Sequence, residues 1–229
     1  MAIKKSRIFT LFFSLLCGYN FAQQHKDPAY IKVTQKRASK IVEKLALSNP
    51  EEESLLIDII AEQYRNLSQI HDKRDAKIGL IKLKKLSKTK QDQHIGRVTS
   101  KATKAINKLH KTYIDKLEIY LSPEKVDAVK DGMTYWVVPK TYQAFLEMLL
   151  QLTEEQKKFI YVNLVEAREQ AMDAGSSKEK HAWFGKYKGR INNYLSAQGY
   201  DLNKESKDWH ERIKKANKTK SQHETNKQP

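Results

Sequence analysis

Apolar residues recur at three- and four-residue steps along almost the whole of this chain, the spacing that aligns them on one face of an α-helix. Leu56, Ile59, Ile60, Leu67 and Ile70 form one such stripe, and Ile95, Val98, Ala102, Ala105, Leu109, Tyr113, Leu117 and Tyr120 another. The two-residue alternation of a β-strand is confined to Tyr135–Val138, where Pro139 cuts it short. The pattern predicts an all-α fold, a helical bundle with a long antiparallel helical hairpin. Helices are expected near 28–47, 50–86, 92–120, 123–132, 140–150, 154–173, 177–197 and 203–215.

Punctuation supports these boundaries. Ser48 with Glu51, Thr153 with Gln156, and Ser176 with Glu179 fit the capping box, in which hydroxyl and carboxylate or amide satisfy each other's exposed backbone donors. Ser122 before Pro123 and Glu124 is a related start, since proline suits the first helical position. Gly175 and Gly199 follow apolar periodic runs and suit left-handed C-terminal caps.

The first 22 residues change the picture. Lys4, Lys5 and Arg7 precede an apolar run of ten residues, Ile8–Cys17, and Ala22 before Gln23 offers a small-residue cleavage position. Spanning about 30 Å of hydrocarbon needs roughly 20 apolar residues, so the segment reads as a cleavable secretory leader, not a membrane anchor. A periplasmic or secreted protein is expected. Acylation at Cys17 is the lesser alternative, because Leu16 stands where lipoprotein processing wants a small residue. Cleavage removes the only cysteine, so the mature chain forms no disulfide and has no thiol nucleophile.

Charge then divides the remainder. The chain has a formal net charge of +16, and between His71 and Lys116 fourteen basic residues face four acidic ones. Lysine outnumbers arginine there by twelve to two, which favours diffuse attraction over bidentate recognition. Three readings stand: a solvated hairpin, a surface for polyanions such as acidic polysaccharide or anionic lipid headgroups, and a chaperone arm. Export argues against nucleic acid. The expected organisation is a leader over 1–22, one helical domain over 23–213, and a disordered tail over 214–229. Within the domain, 71–116 form a basic arm and 117–213 an aromatic-rich body.

Candidate chemistry lies between residues 131 and 201. Asp131, Tyr135 and Tyr142 belong to one polar and aromatic cluster, and Asp173, His181, Trp183, Lys188, Arg190, Asn192 and Asn193 to a second, with Arg168 between them. Aromatic faces beside hydroxyl-satisfying polar groups are what a sugar site needs. The competing reading is structural: Phe184, Tyr187, Ile191, Tyr194 and Leu195 share one helical stripe and suit a core. Gly185 and Gly189, four apart within a helix, suggest close approach of a neighbouring helix or a ligand. Glu166, Glu169, Asp173 and His181 are the acid and base candidates for glycoside hydrolysis, but their spacing also describes an ordinary helix face. His181 and His210 lack ligand-spaced partners, so no metal and no cofactor is expected.

Glu62–Arg65, Ile70–Lys77, Val129–Tyr135 and above all Val165–Leu195 resemble a family of secreted bacterial proteins of unknown function. That family is catalogued as a candidate sugar-binding one, with members encoded among polysaccharide-degradation genes. The resemblance covers nearly the whole mature chain, closely from 165 to 201. Trp136 and Leu150 depart from its pattern, standing where a small residue and a proline are expected. Leu121–Glu124 and Leu152–Gln156 are also similar to helix starts of small periplasmic stress chaperones, although a capping box alone produces that likeness. The resemblance implies an exported protein that binds carbohydrate; with the residues above, the expectation is a non-catalytic protein binding a glycan through 131–201, with the basic hairpin as an accessory surface for anionic polysaccharide. The alternatives are a client-binding periplasmic chaperone and a polysaccharide-active enzyme.

Overall fold

The structure, a computed structural model, describes residues 27–225, with side chains as far as Lys218. The expected leader, its cleavage position and Cys17 lie outside the described residues. Among the described residues there are eight α-helices and no strand, so the all-α expectation holds. The chain divides into two compact units, Met1–Val129 and Lys130–Pro229.

The first unit begins with α1, Pro28–Val42, whose Asp27 cap accepts from the Ala29 N–H at 2.9 Å. Its expected continuation to 47 stops in a short 3₁₀ turn, Glu43–Leu45, followed by Ala46 with φ 46°. α2 is Pro50–Lys82 and α3 is Lys88–Glu118. Asn49 caps α2 by accepting from the Glu51 N–H at 2.9 Å, which displaces the expected Ser48 box by one residue because Pro50 takes the first helical position. Leu56, Ile60, Ala61 and Leu67 of α2 are buried, as are Ala102, Tyr113 and Leu117 of α3, and the short 83–87 connection makes the pair an antiparallel hairpin. Between residues 72 and 101 nothing is fully buried, so the core lies at the open end of the hairpin.

α4, Pro123–Met133, carries the division between units in its last third. At its start the Ser122 hydroxyl donates to the Glu124 carboxylate and holds that carboxyl below the usual glutamate range. α5 is Val137–Met148, so the brief alternation at Tyr135–Val138 runs into a helix, which begins three residues earlier than the expected 140. Pro139 falls in its first turn, where a missing N–H leaves no helical bond unmade.

α6, Glu154–Met172, opens with the complete Thr153–Gln156 capping box, and α7, Ser177–Ala197, with Ser176. The second box is only half made: Ser176 accepts from the Glu179 N–H at 3.2 Å, but Glu179 reaches the Gly175 N–H at 2.8 Å instead of the cap residue. Gly175 is therefore a donor to the next helix, and among the described glycines only Gly199 has positive φ, 93°. There Tyr200 N–H bonds the Leu195 carbonyl at 3.2 Å and Gly199 N–H the Ser196 carbonyl at 3.0 Å, the Schellman arrangement.

α8, Leu202–Thr225, extends past Lys214, where a disordered tail was expected; lysine and glutamine are good helix formers even without apolar residues. Arg212 ties α8 to the end of α5 by donating to the Glu147 and Met148 carbonyls at 2.8 and 3.1 Å. The second unit's core gathers Val138, Phe145, Leu149, Ile160 and Leu164 with Phe184, Ile191 and Leu195. Ala167 and Ala171, fully buried, let α6 and α7 approach closely. Close approach does not involve Gly185 or Gly189: a Cβ at either would meet nothing within 4 Å.

Candidate functional site

Asp131 organises a turn that displays an aromatic ring. Its carbonyl accepts from the Trp136 N–H at 2.7 Å, the Thr134 N–H at 3.1 Å and the Thr134 hydroxyl at 3.2 Å, while Tyr135 N–H bonds the Gly132 carbonyl at 3.3 Å. These bonds also make a Schellman cap, ending α4, but the left-handed seat that usually holds glycine is occupied by Tyr135, φ 62°. Trp136 follows at φ 60° and serves as the cap residue of α5. Two consecutive left-handed residues with large side chains are strained, and such strain persists only where the surroundings hold it.

An ion network supplies that hold. Arg168 on α6 is 2% exposed and donates to Asp131 at 3.1 Å and to Glu169 at 3.2 Å. Lys130 adds a bond to Glu169 at 3.1 Å. Two cations thus meet two carboxylates in a largely buried position, where each carboxylate offsets the desolvation of the cation that it faces. Asp131 is held at both its backbone and its side chain. The network fixes the last turn of α4 against α6 and so sets the direction of the turn after it.

The ring thus displayed finds a partner on α7. Tyr135, 46% exposed, stacks on His181 with ring centroids 5.6 Å apart and planes at 22°. His181 is exposed, and its Nδ1 lies 2.7 Å from the Ser177 carbonyl. Donation from Nδ1 leaves Nε2 of a neutral imidazole as an acceptor. Beneath His181 in sequence, Lys180 is buried and donates to the Ala171 and Met172 carbonyls at 3.0 and 2.9 Å, closing the C-terminus of α6 and fixing the start of α7 against it.

Of the sequence-predicted residues, Asp131, Tyr135, Arg168 and His181 are linked through these contacts, with Asp173 as the C-terminal cap residue of α6. Asp131 and Arg168 face each other, which makes them positioning residues. The others are dispersed. Tyr142 makes an edge contact with Tyr161 at 5.4 Å, and Trp183 is half-buried against the core with Lys186 Nζ 5.2 Å from its ring centroid. Arg190 reaches Glu166 at 3.4 Å on the surface. Lys188, Asn192 and Asn193 are exposed, and Asn192 lies eleven residues beyond His181, about 16 Å along α7. Sequence reasoning missed Lys130 and Lys180: a lysine among lysines gives no signal of the carboxylate or carbonyl that it will meet.

A second candidate surface lies on the hairpin of the first unit. A groove of about 440 Å³ has a floor of Ile70, Val98, Ala102 and Ala105, and Lys73, Arg74, Lys77, Arg97 and Lys101 line its sides. Arg74 pairs with Asp75 at 2.7 Å. Among the described residues no group of three or more histidine, cysteine, aspartate or glutamate side chains is placed to hold a metal ion. No described helix is long and apolar enough to cross a membrane.

A helical protein with an ion-locked aromatic turn and a basic hairpin is the class that these observations define. Residues 31–215 match the family described as "Protein of unknown function (DUF3826)", and the chain belongs to it. A search of curated proteins finds no match.

Proposed function

We propose that the protein is an exported, non-catalytic carbohydrate-binding protein whose contact surface is the Tyr135–His181 platform. The observation that carries this reading is a tyrosine ring, 46% exposed, held in a left-handed cap position and stacked on an imidazole. Sugar rings present apolar C–H faces that lie on aromatic planes, and Nε2 of His181 and the Ser177 hydroxyl beside it supply an acceptor and a donor for sugar hydroxyls. A ring already fixed by its backbone loses little freedom on binding. Two of the three carboxylates considered for catalysis have other engagements, Glu169 with Arg168 and Lys130, and Glu166 with Arg190. The cationic groove of the hairpin gives acidic glycans an accessory surface. The leader-like first 22 residues support an exported location.

A panel of neutral and acidic oligosaccharides, titrated calorimetrically against the wild type, Tyr135→Ala and His181→Ala, tests this. The expected result is at least one ligand whose affinity drops about tenfold on loss of the tyrosine ring, with the fold intact by circular dichroism. A panel without a hit overturns the proposal, as does a hit indifferent to both substitutions.

A further inference from the structure

The closed end of the hairpin has a composition and an exposure that sugar binding leaves unexplained. From Ile78 to Lys90 the chain contains five lysines, five large aliphatic residues and no carboxylate. Leu80 is 59% exposed and Leu83 is 83% exposed. Leu83 is the C-terminal cap residue of α2, and the Lys84 N–H bonds the Ile81 carbonyl at 3.1 Å, so the leucines are presented by ordered backbone. Around them stand Lys82, Lys84, Lys85, Lys88 and Lys90; only Lys88, bonded to Asp92 at 2.7 Å, has an ion-pair partner among the described residues. The first turn of α3 contains no acidic residue, so two of these lysines sit where a helix N-terminus disfavours cations. α2, by contrast, opens with Glu51, Glu52 and Glu53. The tip thus accepts a local electrostatic cost and exposes apolar surface together.

We propose that this tip docks on an anionic membrane surface, with Leu80 and Leu83 entering the boundary between headgroups and acyl chains and the lysines facing lipid phosphates. Exposed leucines with a cationic surround are the chemistry of interfacial binding, in which apolar burial and attraction to anionic lipid add. Acidic polysaccharide or nucleic acid would use the lysines alone and gain nothing from the leucines. A second copy of the chain would cover the leucines but bring five more lysines against the first five. The contact is peripheral, since no described helix is suited to crossing the bilayer. It is separate from the groove, whose lining on α2 ends at Lys77 and on α3 begins at Arg97.

The test reads the tip itself. The full chain with Cys17→Ser and Leu83→Cys is labelled at the new thiol with an environment-sensitive fluorophore and titrated with phosphatidylglycerol–phosphatidylcholine vesicles. A blue shift is expected with these vesicles and not with pure phosphatidylcholine or a soluble acidic polysaccharide. Adding Leu80→Ser, or Lys84→Ser with Lys85→Ser, should each move the titration midpoint several-fold or more to higher lipid; these positions are exposed, and the fold does not depend on them. Absence of the shift with anionic vesicles, an equal shift with the polysaccharide, or a midpoint unmoved by either set of substitutions would overturn the proposal.

Discussion

Tyr135 spends conformational energy that glycine would not. A non-glycine residue in the left-handed region costs about 1–2 kcal/mol, whereas the stack on His181 returns about 0.5–1.5 kcal/mol. Tyr135→Gly is therefore expected to leave the chemical-denaturation midpoint near the wild-type value while losing sugar binding. Tyr135→Ala, which retains the strain without the ring, should be less stable than the glycine variant by about 1 kcal/mol. Equal stabilities of the two variants would show that the cap is not strained. The ion network beneath the turn makes the opposite kind of statement. Arg168→Met removes a cation that is 2% exposed and takes the guanidinium donors away from Asp131 and Glu169, so a loss of about 3–5 kcal/mol is expected in urea denaturation. Residue types announced neither feature completely. Asp131, Tyr135, Arg168 and His181 were legible as candidates because they are polar or aromatic in an apolar surround, but their pairing depends on three helices meeting.

At the scale of the element, helix starts were legible where a side chain acts on its own backbone. Thr153 with Gln156 is such a case, and the bonds close within four residues. Where two local devices compete, sequence distinguishes them less well: Pro50 moved the cap of α2 from Ser48 to Asn49, and Glu179 bonded Gly175 rather than Ser176. Glycines follow the same division. Gly199 performs the left-handed cap that its position after α7 suggested, but Gly185 and Gly189 border open space on the exposed side of α7. Gly185→Ala and Gly189→Ala should each stabilise the protein by about 1 kcal/mol, and Gly199→Ala should destabilise it by a similar amount, all readable in thermal melts. A destabilising alanine at 185 or 189 would mean that something packs there after all.

At the scale of the whole molecule, charge separates two surfaces with different physics. Between residues 71 and 116 fourteen basic residues stand against four acidic ones, +10 of the net charge of +16, whereas the Tyr135–His181 platform offers rings and hydrogen-bonding groups. Exposed charges are screened beyond about 8 Å at physiological ionic strength and more strongly above it. Raising sodium chloride tenfold should therefore weaken vesicle binding at the tip and leave neutral-sugar affinity nearly unchanged, as vesicle titration and calorimetry on the same preparation would reveal. Sugar affinity that fell in parallel would place the sugar on the hairpin. The all-helical fold, most helix starts and the location of the basic arm were determined by sequence alone, since periodicity, caps and charge runs act over a few neighbouring residues. The buried Arg168 network, the Tyr135–His181 stack and the exposure of Leu80 and Leu83 were decided by tertiary structure. Each depends on which distant segments pack together, or fail to, and the same lysine, arginine or leucine reads identically in either outcome.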